Sequence, residues 1–201
     1  ANTLKIQAID TTQLSYGVEV VQLLKNEDAE IIDYKKYTIA QKISSNELLT
    51  NILDLQRFPL KNGHYLLEIQ VTDINDPSSK ETYNEYIRIN YTNKDIELSD
   101  IELLDSYAAT DEVNNTTKSG FSLIPLVSNY YSPEFDKLAY YFEIYNPLLN
   151  SGESYVLLQS IKVKETGKIA GQFNKLKKIK STPITPVIHT FNIESLPTGN
   201  Y

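Results

Sequence analysis

Leu60-Lys-Asn-Gly63-His-Tyr65 returns near the end of the chain as Leu196-Pro-Thr-Gly199-Asn-Tyr201, each glycine and each tyrosine standing 136 residues from its counterpart. Upstream, Val18-Glu-Val-Val-Gln22-Leu-Leu-Lys25 matches Tyr155-Val-Leu-Leu-Gln159-Ser-Ile-Lys162 at an offset of 137, and Glu30-Ile31 matches Lys168-Ile169 at 138. Offsets that drift so little mark one structural unit used twice. A chain of 201 residues has room for two units of about 100.

The L-x-x-G-x-Y string describes a turn that needs a residue free to take positive φ, followed by a strand whose first side chain is tyrosine. In immunoglobulin-like sandwiches a tyrosine so placed packs inward and bonds back to the backbone just upstream, forming a tyrosine corner. Tyr65 and Tyr201 are the candidates, and Tyr65 is expected to be largely buried. It heads Tyr65-Leu-Leu-Glu-Ile-Gln-Val-Thr-Asp73, in which Tyr65, Leu67, Ile69 and Val71 share one face.

Period-two patterning predicts further strands at 4–9, 17–25, 31–43, 50–56 and 83–91, then at 96–104, 121–127, 138–145, 155–164, 168–176 and 187–193. Between them, 105–120 is rich in Asp, Asn, Thr and Ser and is expected to form a long loop. The 15 tyrosines also favour pleated, half-buried surfaces. The predicted fold is all-β: two tandem immunoglobulin/fibronectin-III-like β-sandwich modules, residues 1–94 and 95–201. The second is expected to be incomplete at its C-terminus, because by the repeat its strands F and G would follow Tyr201.

Composition narrows the function classes. A formal charge of −7 with no compact basic face argues against nucleic acid as a partner. With no cysteine there is no disulfide, thiolate nucleophile or thiolate-bound zinc. No apolar run reaches the roughly 18 residues of a transmembrane helix. The absence of methionine suggests an interior or processed fragment. No G-x-S-x-G elbow, P-loop or dinucleotide fingerprint occurs. The expectation is therefore a non-enzymatic chain with no cofactor.

Five constellations carry chemical interest. His64 and His189 are the only histidines, and the repeat sets them near the turn before strand F of their own modules, without partners for metal binding or general-base work. Asp73-Ile-Asn75-Asp76-Pro77 has oxygen ligands at a spacing that suits calcium, and it equally spells an Asx-rich hairpin turn. In 138–145, alternation puts Leu138, Tyr140, Phe142 and Ile144 toward the core and leaves Tyr141, Glu143 and Tyr145 opposite. Those three form a candidate partner surface unless another layer covers them. Seven lysines between Lys162 and Lys180 either guard an edge strand or meet an acidic glycan or lipid surface. Asp10-Thr11-Thr12 resembles a short O-glycosylation acceptor pattern of an aspartate, a hydroxyl residue and an apolar or threonine residue, a three-residue match that chance also produces.

Five strings occur in order along the chain: Gln56-Arg-Phe58, Leu98-Ser-Asp-Ile101, Lys118-Ser-Gly120, Glu143-Ile-Tyr-Asn146 and Leu196-Pro-Thr-Gly-Asn-Tyr201. Together they resemble the N-terminal region of the GWxTD-domain proteins of Bacteroidota and related bacteria. The namesake Gly-Trp-x-Thr-Asp segment is absent from a chain with no tryptophan, and Thr198 stands where serine is expected. The resemblance implies export to the periplasm, outer membrane or cell surface and supplies no catalytic residue. The function expected on this reading is to bind or position a cell-envelope protein, with a carbohydrate-binding β-sandwich as the alternative.

Overall fold

The computed structural model describes residues 4–92, 96–128, 130–145 and 154–201. The described residues contain thirteen β-strands and no helix, so the chain is all-β, as its patterning predicts. It divides into two compact units, Ala1–Asn90 and Tyr91–Tyr201.

The first unit is a five-stranded antiparallel sheet of β1 (Gln7–Ala8), β2 (Gln13–Lys25), β3 (Ile31–Ser44), β4 (Gly63–Asp73) and β5 (Asp76–Ile89). β2 lies at its centre, paired with β3 along its whole length and with β4 from Val18↔Asp73 to Lys25↔Leu66. β1 takes up the same edge as β4 where β4 ends, through Gln7↔Ser15. Two backbones come very close at Gly17: a Cβ there would stand 2.5 Å from the Ile39 carbonyl oxygen, so only glycine permits this pairing.

One face of this sheet is the better buried. Tyr16, Val18, Val20, Gln22 and Leu24 point into it, in register with Leu67, Ile69 and Val71 of β4. Residues 45–62 run across that face. The Tyr16 hydroxyl donates to the Thr50 carbonyl at 2.8 Å, the Tyr37 hydroxyl donates to Asp54, and Lys35 Nζ donates to Gln56 Oε1 at 3.1 Å while lying 4.7 Å from the Phe58 ring centre. The strand expected at 50–56 does not form. A strand needs a partner for its backbone groups, and among the described residues none runs beside this segment. Tyr65 is half-buried rather than buried, which corrects that expectation, although its hydroxyl does reach back to the Lys61 carbonyl at 3.0 Å.

The second unit contains β6 (Glu97–Leu98), β7 (Glu102–Ala109), β8 (Thr117–Lys118), β9 (Phe121–Pro125), β10 (Lys137–Tyr145), β11 (Ser154–Lys162), β12 (Ile169–Lys180) and β13 (Ile184–Asn192). Six of them form one sheet in the order β13-β10-β7-β9-β8, with β6 beside the end of β10. The β11–β12 hairpin forms a second sheet. Tyr140, Phe142, Ile144, Val187 and Phe191 from the large sheet meet Ile161, Ala170, Phe173 and Ile179 from the hairpin in one apolar cluster. Two sheets enclose a core, as in a sandwich. The loop expected at 105–120 is shorter than its composition suggests, since β7 runs to Ala109 and β8 begins at Thr117.

The sequence repeat is also a repeat of geometry. In β2–β3 the register shifts just before Lys25↔Ile31, and in β11–β12 it shifts just before Lys162↔Ile169. Gln22 and its counterpart Gln159 are both buried, at 5% and 7% exposure. Tyr201 bonds to the Pro197 carbonyl at 2.6 Å as Tyr65 bonds to Lys61, each hydroxyl reaching four residues back. A Cβ added at Gly63 or Gly199 would stand 3.3 Å from the hydroxyl of its own tyrosine, so each ring is folded over its glycine.

Candidate functional site

The most developed polar cluster lies on β10, on the side away from the large core. Alternation along β10 sends Tyr140, Phe142 and Ile144 inward and Ala139, Tyr141, Glu143 and Tyr145 to the other side. That side is covered too. Tyr141 packs with Leu104, Leu123 and Ala139, and it is only 1% exposed, with Glu143 at 6%. The exposed partner surface expected at Tyr141, Glu143 and Tyr145 is therefore corrected: Tyr141 and Glu143 are interior, and Tyr145 is half-buried.

A two-residue hairpin brings in what neutralises the buried carboxylate. Lys118 pairs with Phe121 across the β8–β9 turn, whose central residues Ser119 and Gly120 take φ of 51° and 81°. Positive φ at both positions is the twist that two-residue hairpins prefer. The turn sets Lys118 Nζ 3.3 Å from Glu143 Oε2 and 5.1 Å from the Tyr141 ring centre. Glu143 Oε1 accepts from the Tyr141 hydroxyl at 2.5 Å and Oε2 from the Tyr145 hydroxyl at 2.7 Å, while Ser119 Oγ lies 3.4 Å from Oε1. The Tyr145 ring also meets Tyr91 edge-on, with centroids 5.2 Å apart.

The electrostatics follow from these contacts. Burial alone would raise the Glu143 carboxyl, but the tyrosine hydroxyls and the Lys118 ammonium favour its charged form and hold it below the ordinary glutamate value. The Tyr141 and Tyr145 hydroxyls are pushed far above theirs, first by burial and then by donating to a carboxylate. Glu143 is thus an ionised group whose acceptor positions are used. Its chemistry is that of a clamp holding β8–β9 to β10.

Three strings that carry the family resemblance meet here. Leu98-Ser-Asp-Ile101 provides Ser99, whose amide donates to the Glu143 carbonyl at 2.9 Å and whose hydroxyl accepts from the Glu143 amide at 2.8 Å. Lys118-Ser-Gly120 is the turn, and Glu143-Ile-Tyr-Asn146 holds the carboxylate and Tyr145; Asn146 itself lies outside the described residues. Sequence reasoning found each string but not their meeting. The Ser-Gly pair was the available signal, because that dipeptide punctuates tight turns.

The remaining candidates do not join this cluster. His64 lies exposed at the start of β4, its amide donating to Glu27 at 3.1 Å. His189 is not near a turn: it sits inside β13 opposite Tyr140, edge-on to Phe191 at 4.7 Å. Burial, followed by the charges of Lys175 and Lys177, holds it below the ordinary histidine value. In the β4–β5 turn, Asp73 accepts from the amides of Lys5 at 2.6 Å and Asn75 at 2.8 Å, and the Asn75 side-chain amide donates to the Lys5 carbonyl at 2.8 Å. Lys5 Nζ takes up Asp76 at 2.6 Å. These oxygens tie the chain leading into β1 to the hairpin. Asp10 caps its own turn, accepting from the Thr12 amide and hydroxyl at 2.7 and 2.8 Å.

The seven lysines all lie in or between β11 and β12. A gap of about 310 Å³ next to the hairpin is lined by Lys175, His189, Phe173, Phe191 and polar side chains. No family model, curated protein or solved structure matches the chain.

Proposed function

We propose that this chain is a non-catalytic interaction segment of the cell envelope, built from immunoglobulin/fibronectin-III-type modules that hold a protein partner. The observation that carries this reading is the less covered face of the five-stranded sheet in the first unit. There Leu23 pairs with Tyr34 and Leu66 with Tyr86, and the two tyrosines are 56% and 81% exposed. Tyrosine presents a large, stiff, amphipathic surface and anchors many protein interfaces. The polar clusters elsewhere support the reading, since they are engaged in holding turns and strands together. The family resemblance supports an exported location.

A photo-crosslinking residue at Tyr86, with a second at Tyr83 on the opposite face as control, tests this in Bacteroidota cells that export the chain. One discrete protein adduct from position 86 and none from position 83 is the expected result. Equal labelling from both faces would count against it. A sugar-binding module instead predicts glycan-array binding that disappears in Tyr86→Ala.

A further inference from the structure

Charge is strongly segregated in this chain. Residues 154–180 carry seven lysines and one carboxylate, Glu165, whereas the remainder carries 12 basic against 25 acidic side chains. Register sorts the hairpin's side chains into two faces. Tyr155, Gln159, Ile161, Phe173 and Ile179 turn toward the core of the second unit. The other face carries Val156, Leu158 and Leu176, exposed at 66%, 58% and 68%, with Leu158 directly opposite Leu176. Lys178 lies opposite Val156, Lys180 opposite Ser154 and Lys162 opposite Ile169 on the same exposed face.

The equivalent hairpin of the first unit supplies an internal comparison. There Lys25 is paired with Glu68, and Lys36 with Glu19 at 3.1 Å. Among the described residues no carboxylate pairs with Lys162, Lys178 or Lys180. Aliphatic side chains surrounded by unneutralised lysines suit a partner that takes both at once. We propose that the outer face of β11–β12 docks on an anionic phospholipid bilayer, the lysines meeting headgroup phosphates and Val156, Leu158 and Leu176 entering the interfacial layer. A glycan would ask for aromatic stacking and a nucleic acid for aromatic or arginine contacts; this face has neither. Lysine is a point charge, suited to a field of phosphates rather than to one bidentate site.

The test is co-sedimentation of the full chain with vesicles of phosphatidylcholine alone and with added phosphatidylglycerol. Binding is expected only to the anionic vesicles and is lost at high salt, since each lysine near an anionic leaflet is worth about fivefold. Lys178→Gln/Lys180→Gln should weaken binding more than tenfold, and Leu158→Ser/Leu176→Ser should weaken it at least severalfold, with thermal unfolding of both variants unchanged. Equal binding to both vesicle types would overturn the proposal, as would indifference to either pair of substitutions. Tighter binding to polyglutamate than to anionic vesicles would also overturn it, in favour of an acidic protein partner.

Discussion

Ser99 and Glu143 hold each other twice, the Ser99 amide donating to the Glu143 carbonyl at 2.9 Å and the Glu143 amide donating to the Ser99 hydroxyl at 2.8 Å. With its backbone held in this way, the Glu143 side chain has little freedom to follow any solvent that approaches. Its ionised carboxylate is stable there only because Tyr141, Tyr145 and Lys118 all meet it.

Replacing that carboxylate should therefore be costly even when shape is kept. Glu143→Gln is expected to lower the stability of the chain by about 2 kcal/mol, because Lys118 loses its counter-charge and one tyrosine its strongest acceptor. Denaturant unfolding measures this, and a double-mutant cycle with Lys118→Met should show coupling. Because the folded carboxyl lies below its ordinary value of 4.5, its contribution is full above that pH and is lost as pH falls through the folded value. Glu143→Gln should flatten the acid limb of the stability curve accordingly.

His189 gives a second pH dependence, in a milder range. Its folded value lies below the ordinary 6.5, so the unfolded chain binds the proton first as pH falls. Stability conferred by the neutral ring is complete above pH 6.5 and declines below it. Thermal melts of His189→Gln should lose this slope between neutral and mildly acidic pH while keeping the steeper acid limb.

The two tyrosine corners should respond differently to the same substitution. Gly63 has a φ of 155° and a tyrosine hydroxyl 3.3 Å from where a Cβ would stand, whereas Gly199 has only the close hydroxyl. Gly63→Ala is expected to cost about 1–3 kcal/mol, combining backbone strain with displacement of Tyr65. Gly199→Ala should cost less than about 1 kcal/mol, since a ring edge yields more easily than a backbone. Tyr65→Phe removes one bond at a half-buried site and should cost about 0.5–1 kcal/mol.

In the β4–β5 turn, Asp73→Ala should destabilise the first unit by about 1–2 kcal/mol, because it removes the buried carboxylate that accepts from the amides of Lys5 and Asn75. Micromolar calcium should give no saturable heat that depends on Asp73. Denaturant unfolding of the native chain and the variant checks the first statement, and isothermal titration of both with calcium checks the second.

Period-two alternation located nearly every strand, because a strand with one face against a core must alternate. It placed Tyr140, Phe142 and Ile144 correctly for that reason. It could not say that Tyr141 and Glu143 would be covered, since the cover comes from Leu104 and Leu123 and from the turn at Ser119-Gly120, all distant in sequence. At 50–56 the pattern resembled a strand, yet a ladder requires a neighbour, and pattern alone does not reveal whether one is there. The repeat was the more powerful signal. Gln22 with Gln159, and Lys25–Ile31 with Lys162–Ile169, occupy the same places in their hairpins, and only the partners beyond those hairpins differ.

β2 is hydrogen-bonded along both edges, to β3 and to β4, whereas among the described residues β11 is bonded along one edge, to β12. Half of the β11 amides therefore face outward and should exchange with solvent far faster than those of β2, which open only when the whole sheet does. Such an edge is also a template for any extended chain that drifts near it, including another molecule of the same kind. The seven lysines of the hairpin oppose such a meeting between two copies, with a repulsion whose reach shrinks from about 30 Å in dilute buffer to about 8 Å at physiological salt. Raising the ionic strength should therefore favour pairing between hairpins, which sedimentation of the chain at low and high salt would show.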